Sequence, residues 1–174
     1  MSLSAPHLSS AAPSPADPLA LLYGSGHRLA SHPGAGSGLV FSTEREIDLM
    51  ELEHLLDAVG WSRRPIRRVR KALAHSLLRV GLWRHDPLLP RLVGFARCTG
   101  DGVVEATIWD VAVHPHYQGI GLGKQLMVYV LDQLRALQVE RVTLFADPQV
   151  VGFYAAQGWE LEPLQRRCAF WYSP

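Results

Sequence analysis

The sequence predicts an α/β or α+β fold built around one sheet. Strand-like and helix-like segments alternate along the chain, and residues 104–157 follow a β-α-β-α order. Such an order is typical of mixed layers of helix and sheet. Apolar residues make up 48% and charged residues 19% of the 174 residues, which provides material for a core and excludes a wholly disordered chain.

Residues 1–38 predict a flexible tail ahead of one domain at residues 39–174. The tail contains eight Ser, five Gly and five Pro, with two charged residues, Asp17 and Arg28. It cannot bury enough apolar surface to offset the entropy lost on ordering. The basic start, apolar stretch and cleavage site of a secretory signal are missing, so we expect a cytoplasmic protein.

The first half of the domain predicts strands and two helices. Leu39 to Ser42 suits a short strand, and residues 46–58 carry apolar side chains close to helical spacing up to the stop at Gly60. A second helix opens at Pro65, with its apolar residues three and four apart. Residues 76–84 and 91–98 then predict two strands. The turn between these strands passes through Asp86, Pro87 and Pro90.

The second half supplies the β-α-β-α order. Residues 99–102 are a turn signal. The other predicted elements are a strand over 103–113, a helix over about 121–137, a strand over 141–146, a short helix over 149–156 closed by Gly158, and a last strand from Arg167 to Tyr172.

Composition excludes several classes of protein. No run of about 20 apolar residues is present, so we expect no membrane span. A net charge of +1 argues against binding nucleic acid through bulk electrostatics. Cys98 and Cys168 lie far apart without a CxxC pair, which argues against a disulfide-stabilised secreted fold and a cysteine zinc site.

One motif predicts a phosphate site. Gln118-Gly119-Ile120-Gly121-Leu122-Gly123-Lys124 follows a strand and opens an amphipathic helix. Glycine permits close backbone approach, the first helix amides have no internal partners, and the helix dipole favours an anion there. The glycine spacing fits neither G-x-G-x-x-G nor GxxxxGK[ST], so we reject a dinucleotide fingerprint and a P-loop.

The segments IWDVAVHPHYQGIGLGKQLM and TLFADPQVVGFYAAQGW resemble the GNAT N-acetyltransferase superfamily. The resemblance covers roughly residues 39–173 and is most specific over 107–159. Within that superfamily, the sequence most resembles the plant-plastid and cyanobacterial group described as serotonin N-acetyltransferase-like. The segments that carry this resemblance are GWSRRP, IWDV, LFAD and FWY. The resemblance implies the GNAT fold, a mixed twisted sheet flanked by helices whose strands splay near Val113. It also leaves the plastid stroma as an alternative location.

The implied co-substrate is acetyl-CoA. Its pyrophosphate would lie on the amides of residues 119–124, near Gln118, and its pantetheine arm would pair with the strand at Val111, Ala112 and Val113. Tyr154 matches the tyrosine that protonates the leaving thiolate in GNAT enzymes, and Asp147 lies where many members carry a cofactor-contacting Asn. We expect Tyr154 and Asp147 to contact the cofactor, and no metal is implied.

Three residues are the candidate catalytic groups. We expect Tyr154 to be the general acid and Asp147 the base, with a helix N-cap as a compatible role for Asp147 before Pro148. Asp110 is the competing base. In a regular strand it shares a face with Ile108 and Ala112, and a β-bulge would change that assignment.

Two further clusters carry weaker signals. His114 and His116 flank Pro115 without a third ligand, which favours a turn over a metal site. A run of cations could pair with the acidic stretch 44–57 or form a solvated face, and both are favoured over nucleic-acid binding. The run comprises Arg63, Arg64, Arg67, Arg68, Arg70 and Lys71.

Together these observations predict an enzyme that transfers acetyl from acetyl-CoA to a primary amine by direct attack. The lack of a GxSxG motif favours direct attack over a covalent enzyme. The preferred acceptor is a small arylalkylamine such as serotonin or tryptamine. The alternatives are a protein lysine or polyamine as acceptor, and a non-catalytic acetyl-CoA-binding module. We expect neither nucleic acid nor a membrane as partner, and leave a homodimer open.

Overall fold

The structure, a computed structural model, describes residues 38–85 and 91–165. The predicted tail therefore lies outside the described residues, except for Gly38. The turn predicted between residues 86 and 90 and the last predicted strand, Arg167 to Tyr172, also lie outside them.

The described residues form a five-stranded sheet and four α-helices. In chain order these are β1 (Leu39–Ser42), α1 (Leu49–Ala58), α2 (Ile66–Ala74), β2 (Leu78–Arg84), β3 (Arg91–Gly100), β4 (Glu105–Val113), α3 (Leu122–Ala136), β5 (Arg141–Leu144) and α4 (Val151–Ala155). Short 3-10 turns lie at Pro115–Tyr117, Pro148–Val150 and Pro163–Gln165.

The order of the strands in the sheet follows the chain, β1-β2-β3-β4-β5. The first four strands pair antiparallel, with α1 and α2 in the connection between β1 and β2, and β4 pairs with β5 in parallel. A parallel pair needs a crossover, which α3 supplies. This mixed sheet confirms the predicted fold class.

Helices cover both faces of the sheet. One core lies between the sheet and α3, with Leu126 and Val130 fully buried, and Tyr154 of α4 joins it. The second core lies under α1 and α2 and includes Leu55 and Leu73. The apolar stripes predicted for α2 and α3 thus face opposite sides of the sheet. No helix in the described part of the chain is both long and apolar enough to cross a bilayer.

Several helices and strands begin or end at other residues than predicted, because local side chains fix their boundaries. The Asp101 carboxylate accepts the amides of residues 103–105, so the turn lies there, β3 extends to Gly100 and β4 begins at Glu105. Asp48 caps α1 by accepting the amides of Met50 and Glu51 at 2.8 and 2.9 Å, so α1 begins later than the predicted residue 46. Pro65 is the N-cap of α2 instead of its first residue.

Candidate functional site

The site lies where β4 and β5 separate. Their pairing runs from Glu105 opposite Arg141 to Ile108 opposite Leu144. β5 ends there, whereas β4 continues to Val113 and stays paired with β3 through Ala112 and Val113. From Trp109 onward, β4 thus has no partner strand on its β5 side among the described residues. Backbone groups on this open edge are available to a ligand.

A bulge shapes the open part of β4. Phe95 pairs with Ala112 and Arg97 with Trp109, so Asp110 and Val111 together oppose the single residue Ala96. Asp110 has φ +53°, a left-handed conformation that Asp tolerates better than most residues. The alternation assumed for a regular strand therefore fails at Asp110.

Two arginines hold Asp110. Arg97 Nε donates to its carboxylate at 2.5 Å, and Arg64 Nη1 donates at 3.1 Å. The Asp110 and Arg97 side chains are only 11% and 14% exposed, so this pair is shielded from water. Arg64 precedes α2, and its ion pair ties the loop before that helix to β4. The contacts favour a structural anchor over a base for Asp110, because both of its carboxylate oxygens already accept hydrogen bonds from arginines.

The glycine motif lies at the N-terminus of α3. Gly119 and Gly121 have φ +77° and +84°, which disfavour any residue with a Cβ. Gly121 is the N-cap of α3, and no described side chain caps the helix or places an acid in its first turn. The first amides of α3 therefore stay available for an anion, and Lys124 lies in the same turn.

The other motif residues divide between ligand-facing and structural roles. Gln118 Nε2 donates to the Val113 carbonyl at 2.7 Å, which closes the loop between β4 and α3. Leu122 is 1% exposed and belongs to the core, while Ile120 is 43% exposed. Neither side chain lines the cleft described below. Any contact that Leu122 makes to a phosphate must come from its backbone amide.

Tyr154 lies on α4, facing the cleft from the core. It is 7% exposed, and its ring contacts Phe153 and Trp159 edge-on, with centroid distances of 5.0 and 6.0 Å. Burial, followed by the nearby negative charge of Asp147, raises the pKa of Tyr154. A phenol in this setting stays protonated at neutral pH, as a general acid requires.

Asp147 begins the 3-10 turn that leads into α4, with Pro148 as the next residue. Its backbone carbonyl accepts the Val150 amide at 2.9 Å, but its side chain caps no described amide. Asp147 thus occupies the predicted N-cap position, but its side chain forms no capping hydrogen bond within the described residues. Its exposed carboxylate lines the cleft near Tyr154.

These residues enclose a cleft of about 690 Å³. Of the predicted site residues, those that line it are Asp110, Val111, Ala112, Val113, Gln118, Gly119, Gly121, Gly123, Lys124, Asp147 and Tyr154. Sequence reasoning did not assign Val59, Gln149 and Val150, which also line it. The signal for Gln149 and Val150 was their place between Asp147 and Tyr154.

Aromatic side chains form one wall of the cleft. Trp61, Trp109, Phe145 and Phe153 all line it. Trp109 is held by its indole N–H, which donates to Thr99 Oγ1 at 2.8 Å, and its ring lies 5.3 Å from that of Phe145. From the sequence, Trp109, Phe145 and Phe153 are expected mostly in the core, with one or two aromatic rings in an amine pocket. Trp61 has no predicted role in the cleft. In the structure, all four line the cleft.

The histidine pair forms a turn. The His116 amide donates to His114 Nδ1 at 3.3 Å, at the start of the 3-10 turn. Burial and the neighbouring His116 lower the pKa of His114. Within residues 38–85 and 91–165, no group of three metal-ligating side chains could hold a metal ion.

Gly121→Ala should raise the KM for acetyl-CoA about 5- to 30-fold with a smaller change in kcat. A left-handed conformation costs a residue with a Cβ about 1–2 kcal/mol, and Gly121 adopts one. Steady-state kinetics with varied acetyl-CoA measures the effect. An unchanged KM would contradict the role of this loop.

Gly123→Ala is the variant matched to Gly121→Ala, and it tests whether a ligand lies directly against residue 123. Gly123 lacks a positive φ, and an added Cβ would lie 3.5 Å from Phe153 Cζ, an ordinary contact. The substitution should therefore preserve or increase stability. A raised KM with unchanged stability would locate the ligand against Gly123.

Comparisons with known proteins agree with this geometry. Residues 47–159 match the Acetyltransferase (GNAT) family. An uncharacterized ycf52-like N-acetyltransferase of Prochlorococcus marinus is 68% identical over 134 residues, covering 77% of this chain and 74% of that protein. Two plant proteins are each 40% identical. The match to histone acetyltransferase TAP1 of Glycine max covers 77% of this chain and 61% of that protein. The match to chloroplastic serotonin N-acetyltransferase 2 of Oryza sativa covers 67% of this chain and 58% of that protein.

Solved structures show the same fold. A GNAT-family acetyltransferase from Streptococcus pneumoniae superposes with a TM-score of 0.65 at 27% identity, covering 78% of this chain and 98% of that one. The Escherichia coli GNAT protein YhbS, solved in complex with CoA, has a TM-score of 0.64 at 21% identity over 80% of this chain and 79% of that one.

Proposed function

The chain belongs to the GNAT acetyltransferase family, and from this premise we propose that it acetylates the primary amine of a small arylalkylamine, such as serotonin or tryptamine. The premise makes the chain an acetyl-CoA-dependent N-acetyltransferase. The acceptor class is supported by one observation: an aromatic wall lies in the same cleft as the exposed carboxylate of Asp147. Aromatic rings bind an aryl group by stacking, and a carboxylate attracts its ammonium group.

The residues present fit acetyl-CoA. Gly119 to Lys124 would hold the pyrophosphate, since the start of α3 has unpartnered amides, a lysine and no described acid in its first turn. The open edge of β4 at Val111–Val113 would pair with the pantetheine arm. The bound cofactor supplies the acetyl group as a thioester.

The chain contributes three functions to the transfer. An amine with a pKa of about 10 is roughly 0.1% neutral at pH 7, which costs about 4 kcal/mol, so a base helps. Asp147 is the proposed base, directly or through water. Backbone N–H groups of β4 polarise the carbonyl. Tyr154 donates its proton to the sulfur as the C–S bond breaks and the amine nitrogen bonds to the carbonyl carbon.

Cys98 is unsuited to a covalent route. The thiol is fully buried, and burial raises its pKa to about 12. The thiolate fraction at pH 8 is then about 10⁻⁴. In a Cys168→Ser variant, iodoacetamide should label Cys98 only after denaturation, as measured by mass spectrometry. Rapid labelling of the folded protein with matching loss of activity would contradict direct attack.

A panel of amines tests the acceptor. Tryptamine, serotonin, spermidine and a lysine peptide are each assayed for CoA release, with a buffer control. We expect the highest kcat/KM for an arylalkylamine. Turnover of the lysine peptide or spermidine alone would replace the proposed acceptor, and no release from any amine would favour the non-catalytic module.

We further propose that the enzyme acts in the cytoplasm, or in the plastid stroma if its source is a plant or alga. The chloroplastic rice relative supports the second location.

A further inference from the structure

The segment between α1 and α2 contributes Val59 and Trp61 to the cleft. We call residues 59–65 the α1–α2 loop. Val59 packs against the core that lies under the two helices. Trp61 is half-buried, and it belongs to neither of the two cores in the described part of the chain. The position of the indole in the aromatic wall therefore depends on the conformation of the loop that carries it.

Little buried surface holds the α1–α2 loop against the rest of the protein. Residues 62–65 are all exposed. Two cavities adjoin the loop: one of about 30 Å³ is lined by Trp61 and Arg63, among others, and one of about 130 Å³ by Arg64 and Asp110. A densely packed interior resists displacement of its side chains. Packing alone therefore leaves this loop room to shift.

Polar contacts hold the loop at both of its ends. At the α1 end, Arg63 pairs with Asp57 of that helix. At the α2 end, Arg64 Nη1 donates to both carboxylate oxygens of Asp110, at 3.1 and 3.4 Å. Among the described residues, Arg64 is the only member of the loop that hydrogen-bonds to the sheet. Its ion pair is thus the link between the loop and β4.

Both partners of this ion pair have restricted positions. The carboxylate of Asp110 is also held by Arg97, in a pair that is shielded from water. Arg64 precedes Pro65, which restricts the backbone of the residue before it to extended conformations. Trp61 lies three residues before Arg64, so the chain between them spans at most about 10 Å. A displacement of Arg64 is therefore transmitted to the indole.

We propose that Arg64 is a positioning residue for the acceptor, because its ion pair with Asp110 holds Trp61 in the aromatic wall against which the aryl group of the amine stacks. This inference rests on the proposed arylalkylamine acceptor and assigns its affinity in part to a residue outside the cleft. Arg64 does not line the cleft, so it acts through Trp61 and not by contact with the amine. Arg97 continues to hold Asp110 when Arg64 is removed, so the β4 edge keeps its place.

Arg64→Ala should raise the KM for tryptamine about 3- to 10-fold, the range that corresponds to one lost aromatic contact. The kcat and the KM for acetyl-CoA should change little. The kcat/KM for butylamine, which has no ring to stack, should also stay the same. A general loss of structure would lower activity toward both amines. Steady-state kinetics with each substrate varied in turn measures the split, and urea unfolding checks that the variant is folded.

Two variants of the same pair of arginines are the controls. Arg63→Ala makes the same substitution in the same loop but removes a contact to α1, and it should keep the KM for tryptamine within about two-fold of wild type. Arg64→Lys should retain most of the wild-type affinity. Only one nitrogen of Arg64 donates to Asp110, and the ammonium group of lysine can replace a single donor.

A double-mutant cycle shows whether Arg64 acts through the indole. Trp61→Ala should raise the KM for tryptamine by itself, and adding Arg64→Ala to it should cause no further rise, because coupled residues are not additive. Independent effects of the two substitutions, an equal loss with butylamine, or a wild-type KM for tryptamine in Arg64→Ala would overturn the inference and leave the proposed function standing. If the wild-type enzyme acetylates no arylalkylamine, the proposed function fails, and this inference fails with it.

Discussion

Tyr154→Phe should lower kcat by about 10² to 10⁴, the usual contribution of a positioned general acid. The substitution removes only the hydroxyl, and the ring keeps its contacts with Phe153 and Trp159. The KM for acetyl-CoA and the unfolding midpoint should therefore change little. Steady-state kinetics with calorimetric titration of CoA separates the two effects.

A pH profile provides the control for this assignment. Because burial and Asp147 raise the pKa of Tyr154, the wild-type rate should not fall with rising pH until above about pH 10. Asp147→Asn removes the negative charge, lowers the pKa of Tyr154 and should move this alkaline fall to lower pH. A Tyr154→Phe enzyme with wild-type kcat would assign the proton donor to another group.

Asp110→Ala should destabilise the fold by about 3–5 kcal/mol, because removal of one partner leaves a shielded charge unpaired. The unpaired charge is Arg97, whose side chain is 14% exposed. Alanine must also adopt the left-handed φ of +53°. Equilibrium urea unfolding measures the loss. Arg64→Ala removes a partner that is 55% exposed and should cost under about 1 kcal/mol.

Asp110→Asn distinguishes an anchor from a base. Asparagine tolerates the left-handed conformation but lacks the charge. If Asp110 only positions β4 and the Arg64 loop, kcat of this variant should stay within a few-fold of wild type under conditions where it is folded. A fall of 10² or more with an intact fold would identify Asp110 as the base and contradict the anchor.

Local pattern predicted most elements within a few residues. Leu122, Leu126, Val130 and Leu134 repeat at helical spacing, and α3 buries all four. The strand at 141–146 is shorter than predicted, since β5 ends at Leu144. Periodicity reports which residues face a core, but it does not report where a neighbouring strand stops pairing.

The contacts of the Asp110 side chain could not be predicted from the sequence. Its side-chain direction depends on a bulge opposite Ala96 and on arginines distant in sequence. The basic run shows the same limit. Charge balance predicted pairing with residues 44–57 or a solvated face, and the structure pairs Arg63 with Asp57, while Asp48 and Glu51 bind backbone amides. The Asp48 contact is local, but the Glu51 contact reaches Leu92, and only the tertiary structure brings those two residues together.

The glycine loop and the family resemblance could be recognised without a structure, because they depend on residue types at fixed spacing along one strand-loop-helix unit. The acetyl-CoA co-substrate followed from that resemblance. The tertiary contacts determine that β4 and β5 separate after Ile108 and that two arginines hold Asp110. They also leave Arg67, Arg70 and Lys71 without an ion pair among the described residues. Each of these depends on contacts between segments far apart in the chain, whose geometry local spacing does not specify.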